Sequence, residues 1–444
     1  MQKNSFRFAL PSLLGVLIFL TPIPWNGHLT IGIGIVTGWI RALLGDYGLP
    51  IVVTLIVIAS ILTTLGTALG VGWIQKRKWL HELFDVPVVW LLLRLCGAIL
   101  GLIYLLQFGP ELLKSEEIGG AVFVGIAVNV FSVYIAACLL LPLLTDFGFM
   151  EFVGTLARPL FQKLFRLPGR AAIDAVASFV GASAIGLLIT IGQYDRGNYT
   201  ARHASVIATN FSVVSIPFSL VVATVAGIGQ HFIAWYGVVV LACLVAAFIT
   251  PRLPPLSRKP DTYVVESSDR GREETAAESS LFAEAWRRAL QRAGLAPGVQ
   301  EYFKIGLQNL TFFVFSVIPA GMAVATLAAV LTFHTPIFSW LGYPLAALLE
   351  IAQLPGAAAA APGLFAGFMD QYMPALTAAT IDSRATSFVL AGLSVCQLIY
   401  MSEVGVIILR SSLPVSFTEL VVVFLLRTAI VLPVLIVGAH LVVL

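Results

Sequence analysis

Asp370, Glu403 and Arg427 stand inside apolar stretches long enough to lie in a bilayer. A charge at the centre of a membrane helix costs roughly 2.5–3.5 kcal/mol on the insertion scale, so such residues are kept for function or in pairs. A carboxylate at that depth can take a proton or a cation. The neighbouring amides and hydroxyls can hydrogen-bond a solute. The polar set occurs twice. Asn210 precedes Phe211-Ser212-Val213-Val214-Ser215, and Leu393-Ser394-Val395-Cys396-Gln397 precedes Tyr400, Ser402 and Glu403. Polar residues three apart share a helix face, which groups Ser212 with Ser215 and Ser394 with Gln397. The solute-binding candidates are therefore Ser183, Asn210, Ser212, Ser215, Asp370, Gln371, Ser394, Gln397 and Ser402. Their competing role is hydrogen-bond glue between helices, at about 0.6 kcal/mol each. Glu403 and Arg427 fall at similar depth in neighbouring antiparallel spans, counted by helical rise, and are expected to form a buried ion pair that tunes access.

Membrane spans must position these residues. Of 444 residues, 59% are hydrophobic and 11% charged, where a soluble chain carries about a quarter charged. The expected fold is all-α integral membrane. Runs near or above the span length give nine helices, over 8–24, 49–73, 87–107, 120–143, 204–228, 232–250, 306–331, 386–408 and 418–442. Residues 29–43 read as an amphipathic stretch, and 251–305 as a polar cytoplasmic linker with solvated charges. Buried charges near span ends, Arg94 and Asp174, are expected to reach toward the interface.

Two further apolar segments, 171–192 and 362–380, read as hairpins that enter the membrane and return. If 171–192 turns back, every basic residue except Arg41, Lys114, Arg384, Arg94 and Arg427 falls on the cytoplasmic side, which the positive-inside rule prefers. Its middle, Phe179-Val180-Gly181-Ala182-Ser183-Ala184-Ile185-Gly186, is built of small residues suited to a turn. In the second segment Pro374 and the pair Asp370 and Gln371 argue against a plain lipid-facing helix. The order span, amphipathic stretch, hairpin, polar span and closing span then occurs twice, with the second copy upside down. Inverted repeats with broken helices characterise alternating-access transporters, with the site at the repeat interface. The division is a three-span extension (1–119), a first repeat (120–250), the linker (251–305) and a second repeat (306–444). The N-terminus is placed inside and the C-terminus outside.

Several function classes drop out. No CxxC, HExxH, P-loop or GxSxG pattern occurs, so no enzyme, cofactor or metal is expected. No aromatic-interleaved basic patch suggests nucleic acid. Cys96, Cys138, Cys243 and Cys396 are widely spaced in apolar runs and read as small packing residues.

Ser183-Ala184-Ile185-Gly186-Leu187-Leu188-Ile189-Thr190, with Tyr199-Thr200-Ala201-Arg202 and Ile207-Ala208-Thr209-Asn210-Phe211-Ser212, resembles the nucleoside-recognition GATE domain. The stretch Leu393 to Gly405, with Glu419-Leu420 and Arg427-Thr428, is similar to the YjiH-type branch of that family. The resemblance implies solute transport, led by nucleosides or nucleoside-like compounds; the composition places the chain in the bacterial inner membrane, and H⁺ or Na⁺ coupling is expected. The alternative is a non-transporting subunit that scaffolds a second GATE-bearing partner. The expected partners are a small solute, membrane lipid, and a second GATE protein or another copy of the chain.

Overall fold

The computed structural model describes residues 2–25, 27–180, 183–264 and 280–443. Six of its helical runs are long and apolar enough to cross a membrane: Gly32–Ala68, Val88–Leu106, Glu111–Thr145, Gly229–Arg252, Val299–His334 and Phe417–Val442. They coincide with six of the nine expected spans. The other three are not long continuous helices. Helix α1 (Gln2–Phe19) stops before Pro22 and Pro24, and Pro22–Trp25 pairs antiparallel with His28–Ile31 in a small hairpin. The expected spans 204–228 and 386–408 are each interrupted near the middle.

The described residues form two compact units. The smaller comprises Gly32–Leu140 and Val299–Leu341. There the helix Val88–Leu106 packs on Gly48–Thr63 and on Ile318–His334. The second approach is close at Gly97, where a Cβ would come within 2.1 Å of the Pro319 carbonyl oxygen. Arg94 does not reach for the interface. It is 1% exposed, and its guanidinium bonds Thr63 Oγ1 at 2.7 Å, the Leu83 carbonyl at 3.0 Å and Ser316 Oγ at 2.6 Å.

The larger unit comprises Met1–Ile31, Leu141–Gly298 and Gly342–Leu444. An amphipathic helix α2 (Phe149–Leu160) leads into a helix pair, α3 (Ala171–Val180) and α4 (Ser183–Asp195). The tip residues Gly181 and Ala182 of the expected hairpin lie outside the described residues. The two arms pack together, and Gly186 is tight enough that a Cβ would sit 2.5 Å from Ser178 Cβ. Next comes a broken helix, α5 (Ala201–Asn210) and α6 (Ile216–Val225), then the continuous helix α7 (Phe232–Ile249). Pro217, in the first turn of α6, has no N–H to give and would clash with a carbonyl four residues back, so α5 cannot run through it. Asp174 is buried, accepting the Tyr199 hydroxyl at 2.5 Å, and does not reach for the interface either.

The linker is only partly a solvated tether. Residues 265–279 lie outside the described part, but α8 (Leu281–Gly294) docks on α1 and α2. Ala285, Ala289 and Ala293 make a flat buried stripe that permits close approach. Glu284, 3% exposed, takes a two-pronged bond from Arg158 at 3.0 and 2.9 Å and an ion pair from Arg288 at 2.7 Å. Burial pushes the Glu284 carboxyl up, but bonding and charge from Arg158 and Arg288 outweigh it and leave the carboxyl below its ordinary value. A lowered folded-state pKa stabilises docking above the unfolded value of about 4.3, and the contribution fades as pH falls through the folded value. Protection of the amides across 281–294, measured against their intrinsic exchange rates at each pH, should therefore fall below about pH 4. Glu284→Gln should exchange fast already at pH 7; equal protection in both proteins at pH 7 would rule this lock out.

The rest of the larger unit repeats the earlier order. A second helix pair, α9 (Ala357–Ala366) and α10 (Met373–Ala379), precedes a second broken helix, α11 (Arg384–Cys396) and α12 (Val404–Arg410). The continuous helix α13 (Phe417–Val442) closes it, capped at its start by Ser416 and Glu419. No proline or glycine marks the second break. It turns on Leu398, held at φ +60°, a left-handed conformation costing a β-carbon-bearing residue roughly 1–3 kcal/mol. The cost is offset by pairing with the gap between α9 and α10, where Met401 N–H bonds the Phe368 carbonyl at 2.8 Å and Ser402 N–H the Met369 carbonyl at 3.0 Å.

Candidate functional site

The polar residues of the larger unit collect at the breaks in two connected groups. The first is built around Arg427 on α13, which is fully buried. Its Nε and Nη2 both bond the Cys396 carbonyl, at 3.1 and 2.8 Å, and its Nη1 bonds Asn210 Oδ1 at 2.7 Å. Cys396 ends α11 and Asn210 ends α5, so one guanidinium spans the C-terminal ends of both broken helices. Those ends carry unsatisfied carbonyls and the negative pole of the helix dipole, which a cation complements. Beside it, Gln397 Nε2 bonds Thr428 Oγ1 at 3.0 Å and the Leu364 carbonyl at 2.9 Å. Its Oε1 is buried without a hydrogen-bond partner and lies against Gly367, where a Cβ would come within 2.0 Å of it.

The second group runs from α4 into the break after α11. Ser183 Oγ and Tyr400 Oη are 2.9 Å apart, and the Tyr400 hydroxyl also donates to Glu403 Oε2 at 3.3 Å. Nearby, the Asp370 carboxylate accepts the Tyr372 N–H at 2.9 Å, and Ser402 N–H bonds the carbonyl of Met369, the residue before Asp370, at 3.0 Å. Asp370 is 6% exposed. Among the described residues neither carboxylate makes an ion pair. Gln371 is buried, and its Oε1 has no hydrogen-bond partner.

The sequence-derived candidates therefore divide. Asn210, Gln397 and Arg427 meet in the first group; Ser183, Asp370, Ser402 and Glu403 meet in the second. Gln371 is adjacent to Asp370. Ser394 serves the scaffold, its Oγ accepting the Ala375 N–H at 3.0 Å. Ser212 bonds back to the Ala208 carbonyl of its own helix at 2.9 Å, and Ser215 precedes α6 with no side-chain cap bond. Among the described residues neither serine is hydrogen-bonded to Ser394 or Gln397. Glu403 and Arg427 are not joined either: the arginine is taken by Asn210 and Cys396, and the glutamate by Tyr400. Equal depth requires an unbroken helix over 386–408, and the turn at Leu398 removes Glu403 from that helical line.

Tyr400 and Thr428 are central and were not among the sequence candidates. Each has a local signal: Tyr400 stands three residues before Glu403, and Thr428 follows Arg427. An open cavity of about 500 Å³ lies apart from this set, lined by Pro254, Pro255, Arg258, Lys259, Pro260, Glu419 and Val422. It sits under the linker segment in which Lys259 pairs with Glu419 at 2.7 Å, and it holds none of the candidate residues.

Comparison with known proteins adds two findings. The family model described as Gate, nucleoside recognition, matches residues 127–229. That range contains α2 to α6 and the first of the two resembling stretches; the stretch 393–405 lies beyond it. A protein of Alkalihalophilus pseudofirmus, described as uncharacterized, is 40% identical over 437 residues, covering 98% of this chain and 94% of that protein.

Proposed function

We propose that this chain, which carries a nucleoside-recognition Gate domain over 127–229 and six helices long and apolar enough to cross a membrane, is a secondary transporter of a small polar organic solute. Nucleosides or nucleoside-like compounds lead the candidates. The observation that carries the reading is the meeting of two broken helices over buried polar residues: Arg427 spans the ends of α5 and α11, while Ser183 and Tyr400 join the first helix pair to the second break. Non-helical backbone at membrane depth is tolerated where protein or a water-filled cavity surrounds it, and interrupted helices are where transporters hold solutes.

In this proposal the pairs α3/α4 and α9/α10 are re-entrant hairpins, and their two halves form an inverted repeat that rocks around the breaks. The protein lies in the bacterial inner membrane with its N-terminus inside and its C-terminus outside. Asp370 and Glu403 take up the coupling proton or sodium ion. A thermal-shift screen of the purified chain against nucleosides, amino acids and small peptides tests it. A true ligand at 100 times its dissociation constant adds about 2.7 kcal/mol of apparent stability. Stabilisation by a nucleoside, abolished in Gln397→Ala, is the expected result. If no solute shifts the protein unless a second GATE-bearing protein is added, the scaffold role replaces the transporter.

A further inference from the structure

Two cysteines far apart in the chain come into contact at the second break. Cys243 lies on α7 and Cys396 is the last residue of α11; their sulfurs are 3.7 Å apart, and both residues are buried. The Cys396 thiol also donates to the Val239 carbonyl on α7 at 3.6 Å, so it already faces that helix. Cys396 matters to the site on two counts. Its carbonyl holds Arg427, and Gln397 follows it directly.

We propose that Cys243 and Cys396 are a redox-modification site, a reversible intramolecular disulfide that fastens α7 to the end of α11. A small, membrane-permeant peroxide supplies the oxidising equivalents. It oxidises one thiol to the sulfenic acid, releasing one water; the second thiol attacks that sulfur, and a second water leaves as the S–S bond forms. The sulfurs must close from contact to about 2.05 Å, within reach of side-chain rotation and a small helix adjustment. A dithiol reductant restores both thiols and leaves as its own disulfide. The bond would bind the break to a helix of the preceding half, so the oxidised protein is locked. The transport consequence rests on the reading above, whereas the cross-link and the local rigidity do not.

The test treats the purified full chain with hydrogen peroxide, then denatures it, alkylates the remaining thiols and maps the peptides by mass spectrometry. The expected product joins the Cys243 and Cys396 peptides with loss of two hydrogens, and dithiothreitol reverses it. Hydrogen exchange over 397–403 should slow in the oxidised form and recover on reduction, while Cys243→Ala with Cys396→Ala shows no response to peroxide. Solute uptake should fall to background on oxidation and return with the reductant. Absence of the joined peptide overturns the proposal, and so does a joined peptide with unchanged exchange over 397–403. Uptake absent from both reduced and oxidised protein, with the exchange response intact, counts against transport and leaves the disulfide standing.

Discussion

Arg427→Ala should lower the stability of the purified protein by roughly 2–6 kcal/mol, the cost of leaving two buried acceptors without their donor. Two effects oppose each other. Removing the guanidinium relieves the cost of burying a charge with no acidic partner among the described residues. It also strands Asn210 Oδ1 and the Cys396 carbonyl, each at about 1–3 kcal/mol, and leaves a cavity in a fully buried place. The stranded groups and the cavity together exceed the relief. Arg427→Lys should fall between, because an ammonium on a flexible stem cannot reproduce the fork over both helix ends. Asn210→Ala removes one of the three bonds and should cost less than Arg427→Ala; a double-mutant cycle between them should give a coupling of about 1 kcal/mol or more. The same cycle with Glu403 should give no coupling. Thermal unfolding in one detergent measures all of these. Wild-type stability in Arg427→Ala would show that the guanidinium does not hold the two ends together.

Much of the scaffold was readable because membrane helices announce themselves by length. Each of the six crossing helices is an apolar run that lipid demands and no soluble core requires. The first break left a mark in the sequence, Pro217 after Ser215, yet the expected span over 204–228 ran straight through it. The second left none. Leu398 has no sequence mark for a left-handed turn, and the carbonyls of Phe368 and Met369 that support it lie about thirty residues away in another element. Missing that break carried the Glu403–Arg427 pairing with it. The docking of α8 shows the same limit: its alanine stripe is periodic and visible, but the burial of Glu284 depends on Arg158 arriving from α2. The contact between Cys243 and Cys396 has no trace in their spacing. Polar residue types thus say little about which atoms pair: Asn210 meets Arg427, while Ser212 bonds back to its own helix.

Replacing either carboxylate of the second group should uncouple transport without unfolding the protein. Asp370 and Glu403 lie in the same buried polar group, and among the described residues no basic side chain pairs with either. At roughly 2.5–3.5 kcal/mol for a charge at the centre of a membrane helix, two such groups persist together only if something positive visits them. Arg427 does not serve: its guanidinium is held by the Cys396 carbonyl and Asn210 Oδ1 and pairs with neither carboxylate. Under the transport reading the visitor is the coupling proton or cation. Glu403→Gln keeps an oxygen to accept the Tyr400 hydroxyl, and Asp370→Asn keeps one for the Tyr372 N–H, so both variants retain the local bonds. Each should fold, bind solute and exchange it down its own gradient. Each should lose accumulation against a gradient and the pH or sodium dependence of uptake. Tyr400→Phe should weaken the same dependence less, because it removes one bond to Glu403 and leaves the carboxylate in place. Proteoliposomes with an imposed proton or sodium gradient measure this directly. Gradient-driven accumulation at the wild-type level in both Asp370→Asn and Glu403→Gln would place the coupling site elsewhere and leave these carboxylates a structural pair.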